Sequence, residues 1–404
     1  MKRKILATSH HPGGVNAILP VICALKDEGL VDIVTLATPY RPAGSGVQEV
    51  YGSEKIFQLI DGLDYRTPAD YGLNNVCTGS MVRLIGAEKP HLILTGTSAQ
   101  DKNNEYVVEQ TATRAARMFS GNNILLKEDS RFPRSLAVLD YWANYSIRFS
   151  DIYNPKGKFK FLPDRIAIMD EIAREDMLKE GFPKEGLIIT GNPHFDNLVR
   201  MSQEHTPEKR AETRARAGIP KDAYMILYAT DITSDLEELG WGFTDMDCVD
   251  ILCKGINIMG PEKDYVYLAL KKHPREKPEN LRRLTNHARE SGINAVEVDY
   301  DARKLVLASD LVAGTASTVL IEATLMDRDA LSILPGRQGK DDFILNKQGL
   351  IPRVYNKETG KVFVENIVSG RGVMDQFRKR RQSFRVDGKA TERVRDLAYE
   401  MIDL

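Results

Sequence analysis

The sequence predicts an α/β protein of two successive parallel-sheet domains, and three observations carry that expectation. Apolar runs of strand length alternate with helix-length segments from the first residues onward. The alternation pauses at a polar, charged stretch, residues 202–216, and resumes with a new strand at Tyr224. The chain has 404 residues, more than one ordinary domain, with 42% hydrophobic and 28% charged residues, an ordinary globular balance.

In the first half, residues 4–8 form a strand, 9–14 a turn and 16–28 a helix with Ile18, Val21, Ile22 and Leu25 on one face. Pro20 then belongs in that helix's first turn, where its missing N–H costs little. A strand at 32–37 follows, then a helix at 75–86 before the strand 92–95, and a helix at 105–118 before a strand at 123–127. A tighter repeat closes the half: strand 165–169, helix 171–180 and strand 187–190. Ligand sites in parallel sheets lie beyond the strands' C-terminal ends, so the loops 9–14, 96–100 and 128–131 share one rim. The expected partition is a first Rossmann-like domain at 1–195, a connection at 196–220 and a second such domain at 221–385. Residues 386–404 add a helix that packs across the domain interface through Val394, Leu397, Ala398 and Met401.

The second half carries strands at 224–229, 265–270, 295–298, 311–313 and 330–334. Between the fourth of these and a helix at 319–326 lies the turn Gly314-Thr315-Ala316-Ser317-Thr318. The first N–H groups of such a helix lack intrahelical partners and sit at the dipole's positive end, so the turn suits an anion. Gly314, Thr315, Ser317 and Thr318 are its candidate phosphate ligands. His273-Pro274 ends another strand, beside Lys271, Lys272 and Arg275. A protonated imidazole there can stabilise charge developing on a leaving phosphate; the plainer alternative is that His273 caps a loop that Pro274 starts. Glu322, four residues beyond Thr318, either holds ribose hydroxyls or is a solvated helix residue, since the spacing is not that of a capping box. Asp231, in the polar loop 230–235, is a candidate substrate contact.

On the first domain the acidic pair Glu128-Asp129 follows a predicted strand. Adjacent carboxylates raise one another's pKa, which makes Asp129 the candidate general base for an acceptor hydroxyl and Glu128 its deputy; an exposed acidic loop is the alternative. His10 and His11 are neighbours on an extended segment and point apart, so they suit substrate contact better than a shared metal. Gly13 and Gly14 permit close backbone approach. Thr97, Ser98 and His194 complete the candidate substrate contacts, with His194 also readable as part of a hinge turn.

Composition excludes several classes. A formal net charge of −1 gives no broad footprint for nucleic acid, and the run Arg378-Lys379-Arg380-Arg381 is expected to be a solvated face. Cys23, Cys77, Cys248 and Cys253 have neither disulfide-framework nor zinc-site spacing, which fits a reducing cytoplasm. The first apolar run stops at Thr8, short of a signal-peptide core, and membrane contact is expected to be peripheral at most. No P-loop, zinc-peptidase pair or nucleophile elbow occurs, and no resident metal or cofactor is expected.

Taken together, these residues resemble the two-domain GT-B glycosyltransferase-like superfamily, in which two Rossmann-like domains face across a cleft. The segment Gly191-Asn192-Pro193-His194-Phe195-Asp196 looks like the Gly-Asn-Pro-x-x-Asp stretch that leads from the N-domain toward the second. His273-Pro274 and Ser317-Thr318 with Glu322 resemble the His-Pro and Ser-Ser/Ser-Thr motifs of bacterial sialyl- and polysialyltransferases and of CDP-glycerol glycerophosphotransferases, which hold the nucleotide's phosphate. Glu128-Asp129 is similar to the sialyltransferases' Glu-Asp-Gly motif, whose aspartate is the base, with Ser130 in place of the glycine. The opening strand, the Gly-Gly loop and the length also resemble the non-hydrolysing UDP-GlcNAc 2-epimerases. The resemblance implies a metal-independent transferase of surface-glycan synthesis, with a nucleotide-activated sugar or CDP/CMP-linked group as donor and an unidentified acceptor. A nucleotide-sugar 2-epimerase or hydrolase and a non-catalytic nucleotide-binding protein are the alternatives. A homodimer is compatible with each.

Overall fold

A computed structural model describes residues 2–9, 12–37, 63–73, 77–100, 107–121, 133–154, 156–232, 240–274, 276–384 and 386–404. The predicted strand at 123–127 and the candidate residues His10, His11, Glu128 and Asp129 lie outside them. Two compact units form, Met1–Asn197 with Asp387–Leu404, and Leu198–Val386.

The first unit holds a parallel sheet of β1 (Arg3–Ser9), β2 (Val31–Ala37), β3 (Tyr65–Arg66), β4 (Leu92–Thr95), β5 (Arg134–Val138), β6 (Arg165–Ile168) and β7 (Leu187–Ile189). Its order is β3-β2-β1-β4-β5-β6-β7, so the winding reverses between β1 and β4. Ile5 pairs with Ile33 on one side and Leu92 on the other. Helices α1 (Pro12–Glu28), α2 (Thr78–Glu88), α3 (Val108–Gly121) and α4 (Glu171–Glu180) supply the crossovers, and α5 (Pro193–Gln203) carries the chain past the unit boundary. One core joins Ile5, Leu92 and Leu136 to Ile18, Val21 and Leu25 of α1; another, on the opposite face, joins Leu6 and Ile93 to α2 and α3.

Two expectations about α1 are corrected. The helix starts at Pro12, so Gly13 and Gly14 belong to its first turn and Pro20 falls in its interior. Pro12 suits the first helical position because no N–H is needed there. An interior proline costs about 3 kcal/mol, and burial of Val15, Ala17, Ile18, Val21, Ile22 and Leu25 along the same helix offsets it.

The second unit opens with α6 (Pro207–Arg216), and its sheet contains β8 (Tyr224–Ala229), β9 (Val266–Lys271), β10 (Asn294–Val298), β11 (Leu311–Gly314), β12 (Asp329–Ile333) and β13 (Arg353–Val354). All pairs are parallel, in the order β10-β9-β8-β11-β12-β13, with the reversal between β8 and β11. Helices α7 (Asp245–Ile258), α8 (Pro278–Glu290), α9 (Ala302–Ala308), α10 (Thr318–Leu325), α11 (Lys357–Val368) and α12 (Asp375–Arg381) cover it. Cys248 and Cys253 lie on the buried side of α7, in the core.

The polar stretch 202–216, expected as a connection between domains, takes in the end of α5 and, after residues 204–206, the whole of α6. Thr206 caps α6, its Oγ1 accepting from Lys209 N at 3.3 Å, and Pro207 takes the first helical position. The Arg378–Arg381 run is also divided: Lys379 is exposed, whereas Arg381 is buried and shares Asp329 with Arg378. The last helix, α13 (Ala390–Met401), places Val394, Leu397, Ala398 and Met401 in the first unit's core beside α1. Among the described residues no helix is long and apolar enough to cross a membrane.

Candidate functional site

Open parallel sheets bind ligands at the C-terminal strand ends where the winding reverses. In the second unit that place is the edge of β8 and β11, with β9 on the far side of β8. Three loops meet there: Thr230-Asp231 after β8, Lys272-His273-Pro274 after β9, and Thr315-Ala316-Ser317 after β11. Hydrogen bonds stitch them together. His273 N donates to Thr230 Oγ1 at 2.9 Å, and Thr315 Oγ1 donates to Asp231 Oδ2 at 2.6 Å. Ser332 Oγ on β12 donates to the Thr315 carbonyl at 2.6 Å.

This arrangement sorts the sequence-predicted residues. Thr315 is fully buried and its hydroxyl serves Asp231, whose Oδ1 also accepts from Ile232 N at 3.0 Å, so these two fix the loops. Ser317 caps α10, its Oγ accepting from Val319 N at 3.3 Å, and is half-buried; Thr318 is exposed at the helix's first position. Gly314 is buried at the end of β11. His273 is half-buried on the same strand edge. Glu322 Oε1 accepts from Arg303 Nε at 3.2 Å, an ion pair whose partner's place on α9 gave no signal in the spacing.

Beneath the loops sits a residue that the sequence reading missed. Asp245, 2% exposed in the first turn of α7, accepts from Tyr228 OH at 2.5 Å and from Asp231 N at 3.1 Å. Burial pushes its carboxyl up to about 7; the Tyr228 bond opposes this, and the charges of Asp231 and Glu276 add to it. The signal for α7 was present in Thr244-Asp245-Met246-Asp247, where Thr244 and Asp247 form a capping box.

In the first unit the reversal lies between β1 and β4, and the loops there are closed inward. Ser9 Oγ and Ser98 Oγ both donate to Glu109 Oε1, at 2.7 and 3.0 Å, and Glu109 is 4% exposed. Thr97 Oγ1 donates to Asp140 Oδ1 at 3.0 Å and accepts from Arg148 Nη1 at 2.8 Å. Asn192 Nδ2 reaches the Asp140 carbonyl at 3.3 Å, and Asn192 Oδ1 accepts from His194 N at 3.0 Å. His194 thus lies in the opening turn of α5, its ring centroid 5.9 Å from that of Phe195. Glu109, Asp140 and Arg148 were not singled out in the sequence, because each is polar inside a run whose burial the pattern does not show.

Gly14 and Gly96 seal this crevice backbone to backbone. A Cβ on Gly96 would lie 2.5 Å from Gly14 Cα and 2.7 Å from Ser9 Oγ. The close approach that Gly14 permits is therefore to β4's loop. Gly96→Ala is expected to cost about 1–3 kcal/mol through overpacking against atoms that cannot turn aside. Urea unfolding checks this; an unchanged midpoint would show that the contact is loose.

No protein-family model matches the chain, and no curated protein matches it. Solved structures do share its fold. The putative UDP-N-acetylglucosamine 2-epimerase from Listeria monocytogenes superposes with a TM-score of 0.65 at 16% identity, covering 100% of this chain and 97% of that one. UDP-GlcNAc 2-epimerase from Neisseria meningitidis, bound to UDP-GlcNAc, gives 0.63 at 13% identity, over 100% and 99%. The wall teichoic acid polymerase TagF gives 0.55 at 13% identity, over 99% and 89%. The two parallel sheets, in this order and along the whole chain, are the GT-B fold that the motifs implied.

Proposed function

We propose that the chain is a glycosyltransferase-like enzyme that uses a nucleotide-activated sugar, or a CDP/CMP-linked group, in surface-glycan synthesis. The observation that carries this is the stitched edge of the second sheet, which holds His273-Pro274 and the Ser317-Thr318 start of α10 on one side of the molecule's second unit. Their strands flank β8, so the two backbones stand about 10 Å apart at a spacing of about 4.8 Å per strand. That span suits a diphosphate better than a single phosphate. The positive end of α10 and the Thr318 hydroxyl bind one end, and the His273 imidazole binds the other and stabilises charge on the leaving group. Glu322 holds the ribose in exchange with its Arg303 pair. Asp129 takes the acceptor's proton and Glu128 supports it.

A second reading has its own support. The two 2-epimerases match over 97% and 99% of their own lengths, against 89% for TagF, which favours a UDP-sugar epimerase without an acceptor. Calorimetric titration with UDP, CDP, CMP and GDP tests the shared premise. His273→Ala and Thr318→Ala are each expected to weaken the bound nucleotide about tenfold, the size of one charge-assisted hydrogen bond. Failure of all four nucleotides to bind would overturn both readings. Incubation with UDP-GlcNAc alone then separates them by NMR: an epimerised sugar supports the second, an unchanged one the first.

A further inference from the structure

Two Arg–Asp pairs in this chain close on themselves. Arg378 engages Asp329 through Nε to Oδ1 and Nη2 to Oδ2, and Arg393 meets both oxygens of Asp387. Such two-point pairing is the strong geometry for guanidinium and carboxylate. Asp140 and Arg148 depart from it. Both side chains are only 12% exposed, yet they meet end-on through Arg148 Nη1 and Asp140 Oδ1 at 2.5 Å, and Thr97 shares the same two atoms. Asp140 Oδ2 and the Nε and Nη2 of Arg148 make no hydrogen bond among the described residues. These three atoms are not sealed from solvent, so the end-on geometry leaves one acceptor and a donor fork open to a ligand.

The position matters as much as the pairing. Asp140 follows β5 and Thr97 follows β4, the strand at the reversal point, so the pair stands at the ligand-binding edge of the first sheet. We propose that Thr97, Asp140 and Arg148 form a subsite for a hydroxyl-bearing anion. A ligand hydroxyl donates to Asp140 Oδ2, and a phosphate or carboxylate on the same ligand accepts from Nε and Nη2 of Arg148. The subsite would receive the acceptor, and in that sense it rests on the function proposed above. Its chemistry is shared by a polyol phosphate and a sugar acid, and by neither neutral parent.

Calorimetry on the full chain tests it with sn-glycerol 3-phosphate and D-glucuronate, with glycerol and glucose as the neutral counterparts. At least one anion is expected to bind more tightly than its neutral parent, and which one identifies the source of the charge. Asp140→Asn and Arg148→Lys are each expected to weaken that anion about tenfold, while whichever of UDP, CDP, CMP and GDP the chain binds stays within about twofold of wild type. Arg148→Lys keeps a cation opposite Asp140 and removes only the fork, so it separates recognition from folding. Equal binding of anions and neutral polyols, or wild-type affinity in both variants, would overturn the subsite. Failure of UDP, CDP, CMP and GDP alike to bind the unaltered chain would instead overturn the nucleotide-sugar reading, leaving the polyol comparison readable by itself.

Discussion

Arg214→Ala is expected to destabilise the second unit by about 3–5 kcal/mol, the range for breaking a buried ion pair from one side. Arg214 is 2% exposed, and every part of its guanidinium is used. Nε donates to Ala308 O at 2.9 Å, Nη1 to Lys221 O and Ala223 O at 2.8 and 2.6 Å, and Nη2 to Asp310 Oδ2 at 2.6 Å. Asp310 in turn accepts from Met225 N at 2.8 Å, which fixes the start of β8 against the start of β11. Truncation leaves three carbonyls short of a donor and a cavity in place of the stem. Arg214→Met restores much of the volume, so it should recover only the packing part of the loss. Urea denaturation of both variants measures this. Equal midpoints for wild type and Arg214→Ala would show that Arg210, the other cation on Asp310, carries the contact alone.

The same residue shows where sequence pattern stops. Several strands buried on both faces were plain, and β4 and β8 run over the predicted residues, because continuous apolar runs between Gly, Pro and Asn have few other structures open to them, whereas β5, equally buried but opening on Arg134-Ser135, was missed. Helix α6 was missed because its inward face is built from Thr213 and Arg214 and carries no apolar stripe. Helix α7 was missed for the opposite reason: eight of its residues are buried, so no polar face marks a period.

Legibility of the candidate site followed a similar line. The turn at 314–318 and His273-Pro274 stood out because small and hydroxyl residues punctuate strand ends, and the structure brings both to one edge. Which hydroxyl is available did not stand out. Thr315 and Thr318 look alike in sequence, and only burial separates the one committed to Asp231 from the one left exposed. Polar residues that act from below, such as Asp245 and Glu109, need the fold before their partners can be named.

Asp245→Asn is expected to stabilise the protein above pH 7 and to flatten its stability between pH 4 and 7. The carboxyl's ordinary pKa is 3.8 and burial in the folded chain raises it to about 7. Below pH about 4 both states carry the proton and the group contributes no slope. Between the two values the folded state binds more protons than the unfolded one, so stability falls as pH rises. Above about 7 both states are ionised, and the accumulated loss levels off on the order of 4 kcal/mol, from about 1.4 kcal/mol per unit over some three units. Asparagine keeps one oxygen, which in the Oδ1 position accepts from Tyr228 OH and, at 3.3 Å, from the Asp231 amide, and it removes the buried charge beside Asp231 and Glu276. The measurement is the difference in urea midpoint between variant and wild type across pH 4–8, which cancels every other titrating group. A difference that grows with pH and then saturates near 7 supports the assignment; parallel profiles would mean that Asp245 is already ionised in the folded chain at pH 4. The functional consequence follows from the same bond. Asp245 holds the Asp231 amide, and Asp231 holds Thr315, so a variant that keeps both bonds without the charge should bind a nucleotide's phosphate as well as wild type at pH 6 and more tightly at pH 8.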